Sequence, residues 1–327
     1  MTRRRLIPLA ALALLFCSTR LWAEAPTAPT PSTFDSNGVK ISYTVEGKGE
    51  PVLLIHGFAA NGDFNWRRPN VIKALAEKYQ VITIDNRGHG KSEKPHDTAK
   101  YGEEMAEDAI RLLDHLGIKK AHVVGYSMGG MITAKILTSH PDRLLSATLG
   151  GHGGLKQGDD VSRLEVLAES LDSGKGFAPL FEALNPKGKP PMPKQQMEEL
   201  NKQLLSINDP KALAAVVRSW KGLVVSDEKL KANKVPTLVL IGELDPLKKG
   251  VDALEGRLTN YHVVVINGAD HMDAMRKEQF VSELKSFLAA NAANSQAADA
   301  NRATNGAATN GTPAKARQKT VPAPTKD

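Results

Sequence analysis

Ser127 stands in Gly125-Tyr126-Ser127-Met128-Gly129, a spacing that suits a nucleophile on a sharp turn between a strand and a helix. Such a turn strains the serine backbone and pushes its hydroxyl out over a sheet. Gly125 and Gly129 carry no Cβ, so strand and helix can approach closely. The helix would also aim free N–H groups and the positive end of its dipole at the reacting centre. An incidental glycine-rich turn has the same composition. The apolar run His122 to Val124 before it and the helical pattern Met128 to Ser139 after it supply the context that a nucleophile needs.

A serine hydroxyl needs a base, and the base needs an orienting acid. The chain has nine histidines. His115 falls in a helical pattern, His122 and His262 fall in strand patterns, and His140 closes a helix before Pro141. His271 differs: it lies in Asn267-Gly268-Ala269-Asp270-His271, past the last strand run and before the last helix. Loops at the carboxyl ends of parallel strands are where layered α/β sheets carry function. The acid belongs between serine and histidine in the chain. Asp245, in Gly242-Glu243-Leu244-Asp245-Pro246, directly follows the strand run Thr237 to Ile241 and is the first choice. Glu243, Asp227 and Asp270 compete with it.

Serine attack on a carbonyl creates an oxyanion that needs N–H donors. Met128 would give one, and the loop His56-Gly57-Phe58-Ala59 would give the other from Phe58, with Gly57 keeping the approach open. His56 reads as a structural loop histidine, since no second base is required. Asp85-Asn86-Arg87-Gly88-His89-Gly90-Lys91-Ser92 ends like a phosphate-binding loop. That motif needs glycine where Asp85 stands, so the segment reads as a hydrogen-bonded turn. No H-E-x-x-H or similar ligand spacing occurs, and neither a metal nor a cofactor is expected.

The elements that must position these residues follow from the apolar pattern. Val39 to Val45 alternates like a half-exposed strand. Val52 to Ile55, Val81 to Ile84, His122 to Val124, Thr237 to Ile241 and His262 to Ile266 are short β-rich runs without alternation, as expected of strands covered on both faces. Val71 to Lys78, Glu104 to Leu116, Met128 to Ser139 and Lys277 to Ala290 have helical spacing. This order predicts an α/β fold: a mostly parallel central sheet with helices on both faces and right-handed crossovers. Between 151 and 225 the strand rhythm stops. Helical patterns broken by Pro179, Pro186, Pro190, Pro191 and Pro193 suggest a small helical cap inserted between two strands.

The flanks have a different composition. Arg3, Arg4 and Arg5 precede the apolar run Leu6 to Phe16, with Ala23 as a cleavage point, so residues 1–23 read as a signal peptide. The run is too short for a bilayer span of about 20 residues. A periplasmic or secreted protein is expected, with no stable membrane span after cleavage. Cys17, the single cysteine, would leave with the leader, which excludes thiol chemistry. Residues 24–34 read as a linker. Residues 291–327, without Leu, Ile, Phe, Tyr or Trp, read as a disordered tail. The core is then 35–150 with 226–290. The net charge of +7 sits almost wholly in the two flanks, so the body shows no basic footprint for nucleic acid.

Together, His56-Gly57-Phe58, Asp85 to Ser92, Gly125 to Gly130, Gly242 to Asp245 and Ala269-Asp270-His271 resemble the α/β-hydrolase superfamily, in its branch with one short cap. The resemblance covers roughly 35–150 and 226–290. It implies Ser127 as nucleophile, Asp245 as acid, His271 as base, and Phe58 and Met128 as backbone oxyanion donors. Haloalkane dehalogenases and epoxide hydrolases carry aspartate at the elbow, and Ser127 argues against both. Tyr126 stands where many relatives have His, Gln or Trp. The expected activity is hydrolysis of a small, apolar carboxylic ester through an acyl-enzyme. The alternatives are the same triad acting on a thioester, a lactone or a carbon–carbon bond, perhydrolysis, or a non-catalytic binding protein. Phe177, Leu180, Phe181, Met192, Met197 and Trp220 are the apolar residues the cap offers; helix packing accounts for most of them.

Overall fold

A computed structural model describes residues 29–159, 162–186 and 188–292. The signal peptide expected at 1–23 lies outside the described residues, as does all but residues 291 and 292 of the tail expected at 291–327. The chain runs through β1 (Ser32–Asp35), β2 (Lys40–Glu46), β3 (Glu50–Ile55), α1 (Val71–Ala76), β4 (Tyr79–Asp85), α2 (Glu103–His115), β5 (Ala121–Tyr126), α3 (Met128–Ser139) and β6 (Leu144–Gly150). It continues through β7 (Leu155–Lys156), α4 (Ser162–Asp172), α5 (Ala178–Ala183), α6 (Lys194–Ile207), α7 (Pro210–Ser219), β8 (Val224–Val225) and α8 (Asp227–Ala232). β9 (Thr237–Gly242), α9 (Lys248–Asp252), β10 (Tyr261–Ile266) and α10 (Glu278–Ala290) complete it.

Eight strands form one sheet in the order β1-β2-β4-β3-β5-β6-β9-β10. The β1–β2 and β2–β4 pairs are antiparallel and the others parallel. Side chains alternate across a strand, and here both alternating sets are buried. Leu53 and Ile55 join Met131, Ile132 and Leu112 on the face covered by α2 and α3. Val52, Leu54, Val124 and Leu240 join Leu75 and Phe280 on the face covered by α1 and α10. A strand dry on both faces must be apolar at every position, which explains the runs without alternation. The parallel register then lines up the carboxyl ends: Ile55 beside Gly125, Tyr126 beside Gly150, Gly150 beside Leu240, and Gly242 beside Ile266.

Three features depart from the sequence pattern. β6 is fully buried, yet Ser146, Ala147 and Thr148 interrupt its apolar character and conceal it. His122 Nδ1 and the Ser146 hydroxyl share a 2.7 Å hydrogen bond, which satisfies a polar group inside the sheet. β1 begins at Ser32, inside the expected linker, because Phe34 buries its ring beside Tyr43 and His115. The described residues between β6 and β9 include helices α4 to α7, and a two-residue parallel ladder, β7 with β8, brackets those four helices. That ladder is too short to leave a periodic signal.

The segment from Asp85 to Ser92 is a structural knot. Asp85 accepts from the Gly62 and Lys91 amides, and Ser92 Oγ accepts from the Ser42 amide while donating to the Asp85 carbonyl. The fully buried Arg87 makes a bidentate pair with Asp108, at 2.7 and 2.6 Å, and donates to the Lys100 carbonyl. Glu104, 3.6 Å from the guanidinium, is beyond hydrogen-bond reach. Asp108→Ala should therefore destabilise the fold by about 3 kcal/mol, because it removes both short hydrogen bonds to a buried cation and leaves Glu104 as its remaining, longer ion pair. Denaturant unfolding checks this; a loss below about 1 kcal/mol would show that Arg87 finds another partner.

Candidate active site

Ser127 sits between β5 and α3 with φ 55° and ψ −116°, a conformation that costs a non-glycine residue about 1–3 kcal/mol. The surroundings hold it there. Its amide donates to the Gly150 carbonyl at 2.7 Å and its carbonyl accepts from the Met131 amide. A Cβ at Gly125 would strike the Gly129 carbonyl, and one at Gly129 would strike the Ile55 carbonyl. Only glycine permits this crossing of strand and helix.

Three strand ends bring three side chains into one line. Ser127 Oγ lies 2.9 Å from His271 Nε2, and His271 Nδ1 lies 2.8 Å from Asp245 Oδ2. Asp245 is 1% exposed and His271 4%. The second Asp245 oxygen accepts from the Leu247 amide at 2.8 Å, so the carboxylate is fixed at both ends. The bonding pattern assigns the imidazole proton to Nδ1, which leaves the Nε2 lone pair facing the serine hydroxyl. The three competing acids are engaged elsewhere. Glu243 accepts from the Gly268 amide, Asp227 pairs with Arg257, and Asp270 caps its own turn through the Met272 and Asp273 amides.

The loop after β3 lies against this turn: a Cβ at Gly57 would come within 3.2 Å of Ser127 Cβ. His56 explains the loop's orientation. Its Nδ1–H donates to the Gly57 carbonyl at 2.7 Å, and its Nε2 accepts from the Asn86 amide at 2.9 Å. In a trans peptide the N–H points opposite to the carbonyl, so the Phe58 N–H is turned the other way. Neither the Phe58 nor the Met128 amide donates to a protein acceptor among the described residues. The insertion touches this loop: Phe58 packs edge-on to Trp220 at 5.2 Å and lies 6.4 Å from Phe177, and Asn208 donates to the Ala59 carbonyl. Phe177 and Trp220 are thus buried packing residues, while Met192 and Met197 stay half-exposed.

His152, just past β6, was not legible from the pattern, because the strand that carries it was hidden. It is a neighbour of His271. Its Nδ1 accepts from the Gly154 amide at 2.9 Å, which puts its proton on Nε2. Burial first, and the adjacent His271 second, push its pKa down to about 4. Among the described residues no group of His, Cys, Asp or Glu could hold a metal ion.

A model of the alpha/beta hydrolase fold matches residues 50–162, which include the loop after β3 and the Ser127 turn. The 2-hydroxy-6-oxo-6-(2'-aminophenyl)hexa-2,4-dienoic acid hydrolase of Metapseudomonas resinovorans is 31% identical over 226 residues, covering 64% of this chain and 73% of that protein. The chain belongs to the α/β-hydrolase family. The dihydrolipoyllysine-residue acetyltransferase component of the acetoin-cleaving system of Cupriavidus necator is 40% identical over 116 residues, covering 35% of this chain and 30% of that one. The chain spans between 30% and 53% of the length of several curated relatives that it matches. A solved thermophilic esterase from Thermogutta terrifontis shares the fold with a TM-score of 0.67 at 24% identity, over 80% of this chain and 99% of that one.

Around the site, the protein buries neutral histidines. Burial lowers the pKa of His56 to about 4, and burial with His56 nearby lowers that of His89 to about 3. A folded-state pKa below the unfolded value of about 6.5 means that the unfolded chain binds more protons in between. This contribution is complete above about pH 6.5 and is lost as pH falls toward about 4. The melting temperature should drop by several degrees between about pH 7 and about pH 4.5, and His56→Asn should flatten that slope. An unchanged melting temperature across this window would mean that the imidazoles are not buried neutral.

Proposed function

We propose that this hydrolase cleaves carboxylic esters through an acyl-enzyme, with Ser127 as nucleophile, His271 as general base and Asp245 as the orienting acid. The observation that carries the reading is the unbroken hydrogen-bonded line from Ser127 Oγ through His271 to Asp245. Ser127 Oγ forms a bond to the ester carbonyl carbon as its proton passes to His271 Nε2 and the carbonyl π electrons move to oxygen. The Phe58 and Met128 amides receive that oxyanion. It collapses, the bond to the alkoxide breaks, and His271 Nε2–H protonates the leaving alcohol. Water then attacks the acyl carbon while His271 takes its proton. Ser127 leaves, recovers the proton, and a carboxylic acid is released.

Helices α4–α7 act in this reading as the cap over the site. Phe177, just before α5, and Trp220, just after α7, pack on Phe58, which supports that role. The catalytic groups are neutral or paired, and aromatic and aliphatic side chains surround the Phe58 loop, which favours a small, apolar acyl group. A graded panel of p-nitrophenyl esters tests this, with short or medium chains expected to be preferred.

A second reading has support of its own. The relative matched over 64% of this chain is, by its name, a hydrolase of a 2-hydroxy-6-oxo-dienoic acid. The same serine, base and oxyanion donors could attack a ketone carbon and release a carbon leaving group. Turnover of such a dienoate, with no turnover of any ester in the panel, would favour this second reading.

Asp245 stabilises the His271 imidazolium that forms during attack. Replacing it by asparagine favours the wrong tautomer, and at the acid of such a triad this costs on the order of 10⁴ in turnover. Asp245→Asn should fold normally and lose about that much, whereas Glu243→Gln should stay within about threefold of the wild type. Turnover and melting temperature on the best ester of the panel decide. A crippled Glu243→Gln beside an active Asp245→Asn would transfer the acid role.

A further inference from the structure

Tyr126 has a place that the Ser127–His271–Asp245 line does not itself use. The strand parity of β5 puts Val124 and Tyr126 on the face covered by α10. α10 is also the helix into which the His271 loop leads. Tyr126 is 3% exposed, and its ring lies 5.5 Å from the His271 imidazole and 6.0 Å, edge-on, from Phe280. Its hydroxyl donates to the His271 carbonyl at 2.7 Å. Among the described residues this is the single hydrogen bond made by the peptide groups of His271 itself.

Gly150 and Gly151 form the slot for this pair. A Cβ at Gly150 would lie 2.8 Å from Tyr126 Cδ2. One at Gly151, where φ is +65°, would lie 3.0 Å from Tyr126 Cζ and 3.1 Å from His271 Cε1. Burial raises the phenol pKa well above its usual value, so the group remains a donor at any working pH. The main chain on either side of His271 is held at other residues: the Asp270 turn, and the Ala269 carbonyl that accepts from the Leu244 amide.

We propose that Tyr126 is a positioning residue for the base: its hydroxyl fastens the His271 main chain so that Nδ1 meets Asp245 while Nε2 meets Ser127. The inference rests on the hydrolase reading given above for His271. The residue before the nucleophile thereby anchors the base, and one turn of chain sets both ends of the Ser127–His271 contact. Without the hydroxyl, the ring still fills the slot, but the carbonyl loses its donor and the imidazole gains freedom to rotate away.

Tyr126→Phe tests this, since it deletes one oxygen and keeps the ring. Leu288→Ala, a cavity in the same apolar cluster at the far end of α10, serves as the control for lost stability. Turnover of Tyr126→Phe should fall between about 10- and 100-fold with KM within about twofold, the pattern of a misplaced catalytic group. Leu288→Ala should lower the melting temperature at least as much and leave turnover unchanged. A second readout needs no substrate: in ¹⁵N-histidine-labelled protein the His271 Nδ1 proton, shielded from exchange by Asp245, should broaden or vanish in Tyr126→Phe and persist in Leu288→Ala. A wild-type Nδ1 signal together with near wild-type turnover in Tyr126→Phe would overturn the proposal. So would equal losses in both variants, which would reduce Tyr126 to packing. If the wild type hydrolysed no ester, the hydrolase reading alone would fail, and the Nδ1 signal would still decide about Tyr126.

Discussion

The structure turns on one hydrogen-bonded line that crosses three strand ends. Ser127 follows β5, Asp245 follows β9 and His271 follows β10, and their contacts are 2.9 and 2.8 Å long. No local segment could produce these distances. They depend on the register of β5, β6, β9 and β10, which sets the carboxyl ends at one level. That register depends in turn on burial of both sheet faces, since a slip by one residue would exchange the α2/α3 face for the α1/α10 face. The strained Ser127 backbone is affordable only in such a frame, where the Gly150 carbonyl and the crossing at Gly125 and Gly129 hold it.

Three histidines beside the site, His56, His89 and His152, are kept uncharged, chiefly by burial. A neutral His56 can donate at one nitrogen and accept at the other, and both bonds serve to turn the Gly57–Phe58 peptide. The one buried cation in the Asp85 to Ser92 segment, Arg87, is closed off by Asp108 and does not reach the serine. A low-dielectric, water-poor surround strengthens every hydrogen bond directed at a developing charge.

Much of this was legible in the sequence, for definite reasons. A parallel sheet buried on both faces writes itself as short β-branched runs, so β3, β4, β5, β9 and β10 could be located. The residues following them, among them Phe58, Ser127, Asp245 and His271, could be named. β6 was not legible, because Ser146 and Thr148 are polar residues buried within it; Ser146 is satisfied by its hydrogen bond to His122. With β6 went His152, which by position obeys the same rule as the others. Tyr126 could be seen in the motif, but its bond to the His271 carbonyl joins positions 126 and 271 and leaves no local trace. β1 and the β7–β8 ladder are too short for periodicity to mark.

Membership of the α/β-hydrolase family fixes the architecture and leaves the chemistry to the site, since one fold carries many reactions. The proposed chemistry requires a hydroxyl at Ser127 that is far more nucleophilic than an ordinary serine. Reaction of the intact protein with a fluorophosphonate, followed by peptide mass spectrometry, measures this directly. One adduct per chain on the peptide containing Ser127, lost in Ser127→Ala that keeps the wild-type melting temperature, is the result expected. A folded wild-type protein that stays unmodified, or that is modified equally well without Ser127, would contradict the account.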